Sequence, residues 1–107
     1  MNLNPNIRKL VALLNENGFR TTDSGDGATH DYACDRDHAY VVSVVEPALL
    51  VQRAHELVTL LAANGVTLGP MSEDATPCVQ ASYDPLNGFA ILDLMHVTDD
   101  MLAPDPA

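Results

Sequence analysis

The stretch AYVVSVV, residues 39–45, gives the clearest indication of the fold. Its β-branched and aromatic residues are typical of a strand. Apolar side chains occupy both of its faces: Tyr40, Val42 and Val44 on one, and Val41 and Val45 on the other. A strand of this kind is expected in the centre of a sheet that is covered on both sides.

One amphipathic helix is predicted before this strand and one after it. The first is capped by Asn4 and ends at Asn17-Gly18, because glycine readily takes the left-handed conformation that ends a helix. The second runs from about Ala48 to Asn64 and ends at Asn64-Gly65. Apolar residues recur at helical spacing in both: Ile7, Leu10, Val11 and Leu14 in the first, and Leu50, Ala54, Leu57, Val58 and Leu61 in the second.

The two helix ends have similar sequences. Residues 10–19 and 57–66 are identical at six of ten positions, at an offset of 47 residues. An internal duplication of a helix–strand–strand unit explains this identity, and so does convergence of amphipathic helices that end in Asn-Gly.

Three further strands complete the predicted fold. Residues 19–22 form a weak strand, and residues 78–83 and 89–95 flank a hairpin loop at 84–88, where Pro and Asn-Gly favour a turn. The order α-(β)-β-α-β-β predicts an α+β fold, with two helices on one face of a three- to four-stranded, mainly antiparallel sheet. The other face then needs a cover, either a homodimer that packs sheet on sheet, the loop at 23–37 or the C-terminal tail.

A chain of 107 residues suits one domain, here residues 1–107, with residues 98–107 as a C-terminal tail. The tail is expected to form one capped turn that places Met101 and Leu102 on the core. We expect a cytoplasmic location in a host cell, because the sequence has neither a signal-peptide pattern nor a segment long and apolar enough to span a bilayer.

The net charge of −10 is unevenly distributed along the chain. Residues 1–53 contain seven acids and all five Lys and Arg residues, whereas residues 54–107 contain eight acids and no Lys or Arg. This charge argues against binding nucleic acid or an anionic membrane directly. It favours a protein partner with a basic surface, although genome composition or adaptation to high salt would also produce an acidic chain.

The segment TTDSGDGATHDYACDRDH, residues 21–38, holds five Asp, two His and one Cys. A polar loop of this length in a small domain is typical of a functional segment or of disorder. Carboxylate and imidazole groups are common metal ligands, so one hypothesis is a divalent-metal site. Its candidate ligands are Asp23, Asp26, His30 and His38. The spacing matches neither an EF-hand nor a zinc motif.

The segments GFRTTDSGDG and QASYDPLNGFAIL, residues 18–27 and 80–92, resemble small uncharacterised proteins of phages and prophages of GC-rich bacteria. The resemblance extends over most of the chain. It implies a genomic context rather than an activity, and small acidic phage proteins include inhibitors of host defence. The candidate ligand- or partner-binding residues are Thr22, Asp23, Ser24, Asp26, His38 and Asp84.

Three functions are therefore open at this point. The first is a non-enzymatic phage-type accessory protein whose acidic surface binds a basic host or phage protein, with inhibition of a host defence protein as one role. The second is a metal- or small-ligand-binding domain that uses the loop at 23–38. The third is a dimeric structural or interaction module. The sequence contains no Gly-x-Ser-x-Gly nucleophile motif, which favours a non-enzymatic role.

Overall fold

A computed structural model describes residues 6–25, 38–70 and 76–103. Its helices and strands follow the predicted order: α1 (Arg8–Glu16), β1 (Arg20–Gly25), β2 (Tyr40–Val45), α2 (Leu50–Ala63), β3 (Cys78–Asp84) and β4 (Phe89–Met95). Short 3-10 turns at Pro47–Leu49 and Asp99–Met101 precede α2 and follow β4. The α+β class is confirmed.

The four strands form one sheet in the order β1-β2-β4-β3, and every neighbouring pair is antiparallel. β2 is central, as its apolar sequence predicts, and it pairs with β4 from Tyr40↔Met95 to Val45↔Ala90 without a break. The β1–β2 pair has a register shift between Thr21 and Asp23, so Thr22 is the extra residue of a bulge. β1 and β3 are the two edges of the sheet.

Both helices pack on the same face of the sheet, as predicted. Side chains from α1 and α2 form one buried core with alternate residues of β2 and β4, because alternate residues of a strand share a face. The buried strand residues on this face are Val41, Val45, Ala90, Leu92 and Leu94, and the buried helix residues are Leu10, Val11, Leu14, Leu57 and Leu61. α2 joins β2 to β3 across β4, which gives the two strands the same direction.

The two helix ends have the same structure. The side-chain amides of Asn17 and Asn64 each donate to the carbonyl four residues earlier, both at 2.8 Å. Gly18 and Gly65 follow with φ angles of 84° and 90°, in the left-handed region that glycine adopts without steric cost. The predicted stop signals therefore act alike in both helices.

The start of α1 differs from the prediction. The helix begins at Arg8 and its N-cap residue, Ile7, makes no side-chain capping bond. Asn4 lies outside the described residues. The cap instead comes from Asp99: its Oδ2 accepts from the backbone N–H of Lys9 at 2.9 Å and its Oδ1 from that of Leu10 at 2.8 Å.

Two other expectations about burial need correction. Val58 was expected in the buried stripe of α2 but is 40% exposed, because it points past the edge strand β3. The tail forms the expected turn at Asp99–Met101, yet Met101 is 42% exposed and only Leu102 packs against the core.

In the described part of the chain, no helix has both the length and the apolar character that crossing a bilayer requires.

Candidate functional site

The face of the sheet that points away from α1 and α2 is called the open face below. Neither of these helices, the only two in the described ranges, packs on it. Strand register assigns its side chains: Arg20 and Asp23 from β1; Tyr40, Val42 and Val44 from β2; Cys78, Gln80, Ser82 and Asp84 from β3; and Phe89, Ile91, Asp93 and Met95 from β4.

The middle of the open face is apolar. Val42, Val44 and Ile91 are half-buried there, and Phe89 is exposed at one end. A monomeric protein seldom leaves an apolar sheet surface to water, so a surface of this kind is typical of an interaction site.

Acidic groups are mixed with these apolar side chains. Among the described residues, the open face carries the carboxylates of Asp23, Asp84 and Asp93 against the guanidinium of Arg20, and of these carboxylates Asp93 is buried. The other three described Lys and Arg residues, Arg8, Lys9 and Arg53, all lie on the helices. The open face therefore combines apolar contact area with an excess of negative charge.

One corner of the open face brings together His38, Tyr40, His96 and Asp23, and it is called the histidine corner below. The imidazole rings of His38 and His96 lie 4.7 Å apart between centroids, and the ring of Tyr40 lies edge-on 6.4 Å from that of His38. The Tyr40 hydroxyl donates to Oδ1 of Asp23 at 3.3 Å. Two imidazoles, a phenol and a carboxylate thus meet where β1, β2 and β4 end.

The backbone holds this corner in an uncommon conformation. His96 has a φ of 62°, which residues other than glycine rarely adopt, and its N–H donates to the carbonyl of Ala39 at 2.8 Å. That bond extends the β2–β4 ladder by one residue and sets His96 beside His38. Gly25 lies below the Tyr40 ring, where an added Cβ would come within 2.6 Å of Cε1.

The structure separates the predicted residues near this corner. Asp23 and His38 share the open face, whereas Ser24 is paired with Val41 and so faces the helices. The Thr22 hydroxyl donates to the carbonyl of Val42 at 3.4 Å, at the bulge in β1. Of these four predicted residues, only Asp23 and His38 are brought together at one site.

Asp84 lies at the other end of β3 and serves a turn. Its Oδ1 accepts from the backbone N–H groups of Leu86 and Asn87, and its Oδ2 accepts from the Asn87 side chain at 2.7 Å. The side-chain bond from Asn87, helped by the backbone bonds, holds the pKa of Asp84 below its ordinary value. Six residues of extended strand, about 20 Å, separate it from Cys78 beside the histidine corner.

The predicted metal site is only partly described. Asp26 and His30 lie outside the described residues, and no group of three or more His, Cys, Asp or Glu side chains within residues 6–25, 38–70 and 76–103 is arranged to hold a metal ion. The metal-site hypothesis built on Asp23, Asp26, His30 and His38 therefore stays a prediction.

Sequence reasoning missed two members of the corner, Tyr40 and His96. Tyr40 was interpreted only as an apolar residue of the central strand, and His96 was not selected as a candidate. Tyr40 lies two positions after His38 in the chain, whereas the proximity of His96 to His38 follows from the register of β2 against β4, which pairs Tyr40 with Met95. No local signal in the sequence reveals that register.

Cys78 lies in the same row as Tyr40 and Met95 but is chemically quiet. Its side chain is buried, and burial raises the pKa of its thiol, with a further rise from the nearby negative charge of Asp93. Since the thiolate is the reactive form, Cys78 acts as a small apolar residue at neutral pH.

No protein-family model, curated protein or solved structure gave a significant match to this chain.

Proposed function

We propose that this chain is a non-enzymatic protein-binding domain that uses its open face to hold a partner with a basic surface. The observation that carries the proposal is the combination of half-buried apolar side chains and an excess of carboxylates on a sheet face that neither helix covers. Interfaces of this type gain free energy from the apolar centre, while the charged rim speeds association and selects the partner.

The charge of the open face favours a basic partner over a second copy of this chain. Packing two open faces together would bring the accessible carboxylates of Asp23 and Asp84 from each copy into one interface, with Arg20 as the described cation of each face. Like charges in an interface cost free energy, whereas a basic partner would pair with them. The sheet-to-sheet homodimer predicted from the sequence is therefore the less favourable arrangement of this face.

The environments of several reactive side chains support a binding role over catalysis. Cys78 is a buried thiol with a raised pKa, Asp84 holds a turn, and Asp99 caps α1. Each is engaged in packing or in backbone hydrogen bonds, so none of the three is available as a nucleophile or a general base.

The nature of the partner follows from the resemblance to small phage proteins described above. A phage accessory protein meets the proteins of its host, and nucleic-acid-binding proteins are basic. Inhibition of a host defence protein through the open face is thus the specific form of this proposal.

The test is capture of partners from cells of a GC-rich bacterium that expresses the tagged full chain, followed by titration of the purified partner. The test variant is Asp23→Asn with Asp84→Asn, which removes two charges from the open face while both side chains keep acceptor oxygens. The matched control is Glu16→Gln with Asp100→Asn, which removes two exposed charges on the helix side.

We expect the Asp23/Asp84 variant to bind the purified partner at least about tenfold more weakly, the effect of losing roughly 1.4 kcal/mol, with a smaller dependence on salt. The control variant should bind like the wild type. Equal loss in both variants would show that net charge, rather than the open face, governs binding. A partner with an acidic surface would contradict the proposal outright.

A divalent-metal site is the second candidate, and the histidine corner favours it because His38 and Asp23 reach the same corner. Imidazole and carboxylate groups suit zinc and related ions. Thermal unfolding with zinc and with a chelator tests this, using His38→Ala against His55→Ala, an exposed histidine of α2. A zinc-dependent rise in the melting temperature that only His38→Ala removes would support a site; no rise in the wild type would rule it out.

A further inference from the structure

The two edges of the sheet differ in their protection against pairing with another strand. The β1 edge has a bulge at Thr22 and carries the charged residues Arg20 and Asp23. Bulges and charged side chains hinder the addition of a strand. β3 pairs with β4 without a bulge along all seven of its residues, contains no proline, and has Asp84 as its single charged residue. Among the described residues, β3 is therefore the edge without these protective features.

The surface of β3 is also accessible. Gln80 and Ala81, at the middle of the strand, are exposed, and Tyr83 is 55% exposed although it points to the helix side of the sheet. An exposed, regular strand with few charges is the structural feature that strand-addition interfaces use.

The sequence of β3 is complementary to itself when it is read in the antiparallel direction. With Ala81 as the centre, two copies of the strand would pair apolar residues on the helix side and polar residues at Gln80 and Ser82, while the outermost pairs set Cys78 opposite Asp84. The pairs are Ala81 with Ala81, Val79 with Tyr83, Gln80 with Ser82, and Cys78 with Asp84. The Ala81–Ala81 and Val79–Tyr83 pairs lie on the helix side and are apolar. The Gln80–Ser82 pairs lie on the open-face side and are polar, and no like charges are opposite each other.

The helix beside β3 has a matching unpartnered surface. Val51 is 71% exposed and Val58 is 40% exposed on the side of α2 that points toward β3. Together with Leu50, Ala54, His55 and Ala81 they line a shallow groove of about 240 Å³. A two-fold axis perpendicular to the sheet keeps both copies of α2 on one side, so each helix would meet this surface of the other.

Local charge favours a second copy here, in contrast to the open face. Among the described residues of β3 and of the groove beside it, Asp84 is the charged one, because the Arg53–Glu56 ion pair lies on the other side of α2, where Arg53 packs over the ring of Phe19. Charges elsewhere on the chain are screened beyond about 8 Å at physiological salt. A basic partner would find one carboxylate, that of Asp84, to pair with on this surface, whereas a second copy would meet it without like charges directly opposite each other.

We infer that two copies of this chain associate through their β3 edges, in antiparallel register about Ala81, to form one eight-stranded sheet with the two α2 helices in contact. The interface is isologous, so each copy contributes the same strand and the same helix surface. It does not involve the open face of either copy, and it does not depend on the function proposed above.

Sedimentation equilibrium of the full chain tests for the dimer. The test variants change Ala81, because Ala81 of one copy would lie opposite Ala81 of the other. The wild type should sediment at twice the mass of the chain. Ala81→Lys and Ala81→Glu should each weaken dimerisation at least about tenfold, because like charges would face each other at the axis. A mixture of the two variants should restore the dimer, because opposite charges then pair.

Thr22→Lys, at the protected β1 edge, is the matched control and should dimerise like the wild type. Circular dichroism checks that each variant folds, and Val51→Lys gives a second measurement at a side chain that is already exposed, where dissociation is again expected. A monomeric wild type would overturn the inference. So would a dimer that tolerates both Ala81 variants, or a mixture that stays monomeric.

Discussion

Removal of the Asp99 carboxylate should destabilise the whole domain, although Asp99 lies 89 residues after Leu10 of the helix that it caps. The two N–H groups that it accepts belong to Lys9 and Leu10, the second and third residues of α1. These are the groups that an N-cap side chain normally satisfies. The N-cap residue itself is Ile7, whose side chain has no acceptor, so nothing in the described part of α1 would replace Asp99.

The size of the effect follows from two contributions and from the burial of one bond. Loss of an N-cap costs about 0.5–2 kcal/mol, and loss of a negative charge at a helix N-terminus about 0.3–1 kcal/mol. The bond to Leu10 is partly buried, which places the cost toward the upper end of these ranges. We expect Asp99→Ala to lower the free energy of unfolding by about 2 kcal/mol, equivalent to a fall of roughly 8–16 °C in melting temperature for a domain of this size.

Urea unfolding followed by circular dichroism measures the change. Asp99→Asn keeps one acceptor and loses the charge, so it should cost less than Asp99→Ala. Asp100→Ala is the control: this neighbour is exposed, its carboxylate accepts only from the Thr98 hydroxyl among the bonds described, and its loss should stay within about 0.5 kcal/mol. Equal effects of the Asp99→Ala and Asp100→Ala changes would refute the capping role.

Three other predictions concern a helix end, a turn and the buried thiol. Gly65→Ala should lower the free energy of unfolding, measured with urea, more than Gly18→Ala does. Both substitutions place a side chain on a residue with positive φ, which costs about 1 kcal/mol or more. Only Gly65→Ala also brings the added Cβ within 3.1 Å of the Ala103 side chain. The pKa of Asp84 is lowered on folding, so its ionised form contributes stability above its ordinary pKa of 3.8, and that contribution is lost as pH falls through the lower folded value. Melting temperatures measured from neutral pH down to about pH 3 should accordingly bring wild type and Asp84→Ala closer together at the acid end; a constant gap would contradict this. In a variant without the other cysteine, a thiol reagent should label Cys78 only when urea unfolds the chain; fast labelling of the native protein would show that the thiol is accessible.

Elements with a local physical cause were predictable. The β-branched run at residues 39–45, the Asn-Gly helix ends and the hairpin turn at 84–88 each depend on side chains close together in the sequence, and the structure has all three where they were expected. The start of α1 was wrong because its cap comes from Asp99, far along the chain. The predicted burial of Val58 was wrong, because an apolar stripe shows which side of a helix faces the core but does not show where the edge of the sheet lies.

The candidate site shows the same division. His38 and Asp23 were chosen for their chemistry, but their grouping with Tyr40 and His96 depends on strand register, which pairs residues more than 50 positions apart. Ser24 is next to Asp23 in the sequence, but the two side chains lie on opposite faces of the sheet, because side chains alternate along β1.

The sequence alone determined the order of the helices and strands, because backbone preference, hydrophobic spacing and turn residues act over a few neighbouring positions, although residues 23–25, predicted as the start of the loop, belong to β1. The tertiary structure decided the strand order β1-β2-β4-β3, the placement of both helices on one face, and so which side chains share the open face, the histidine corner and the β3 edge. Those outcomes come from contacts between distant segments. The central strand β2 shows the contribution of both: its two apolar faces follow from residues 39–45, but only packing placed both described helices on the same one of them.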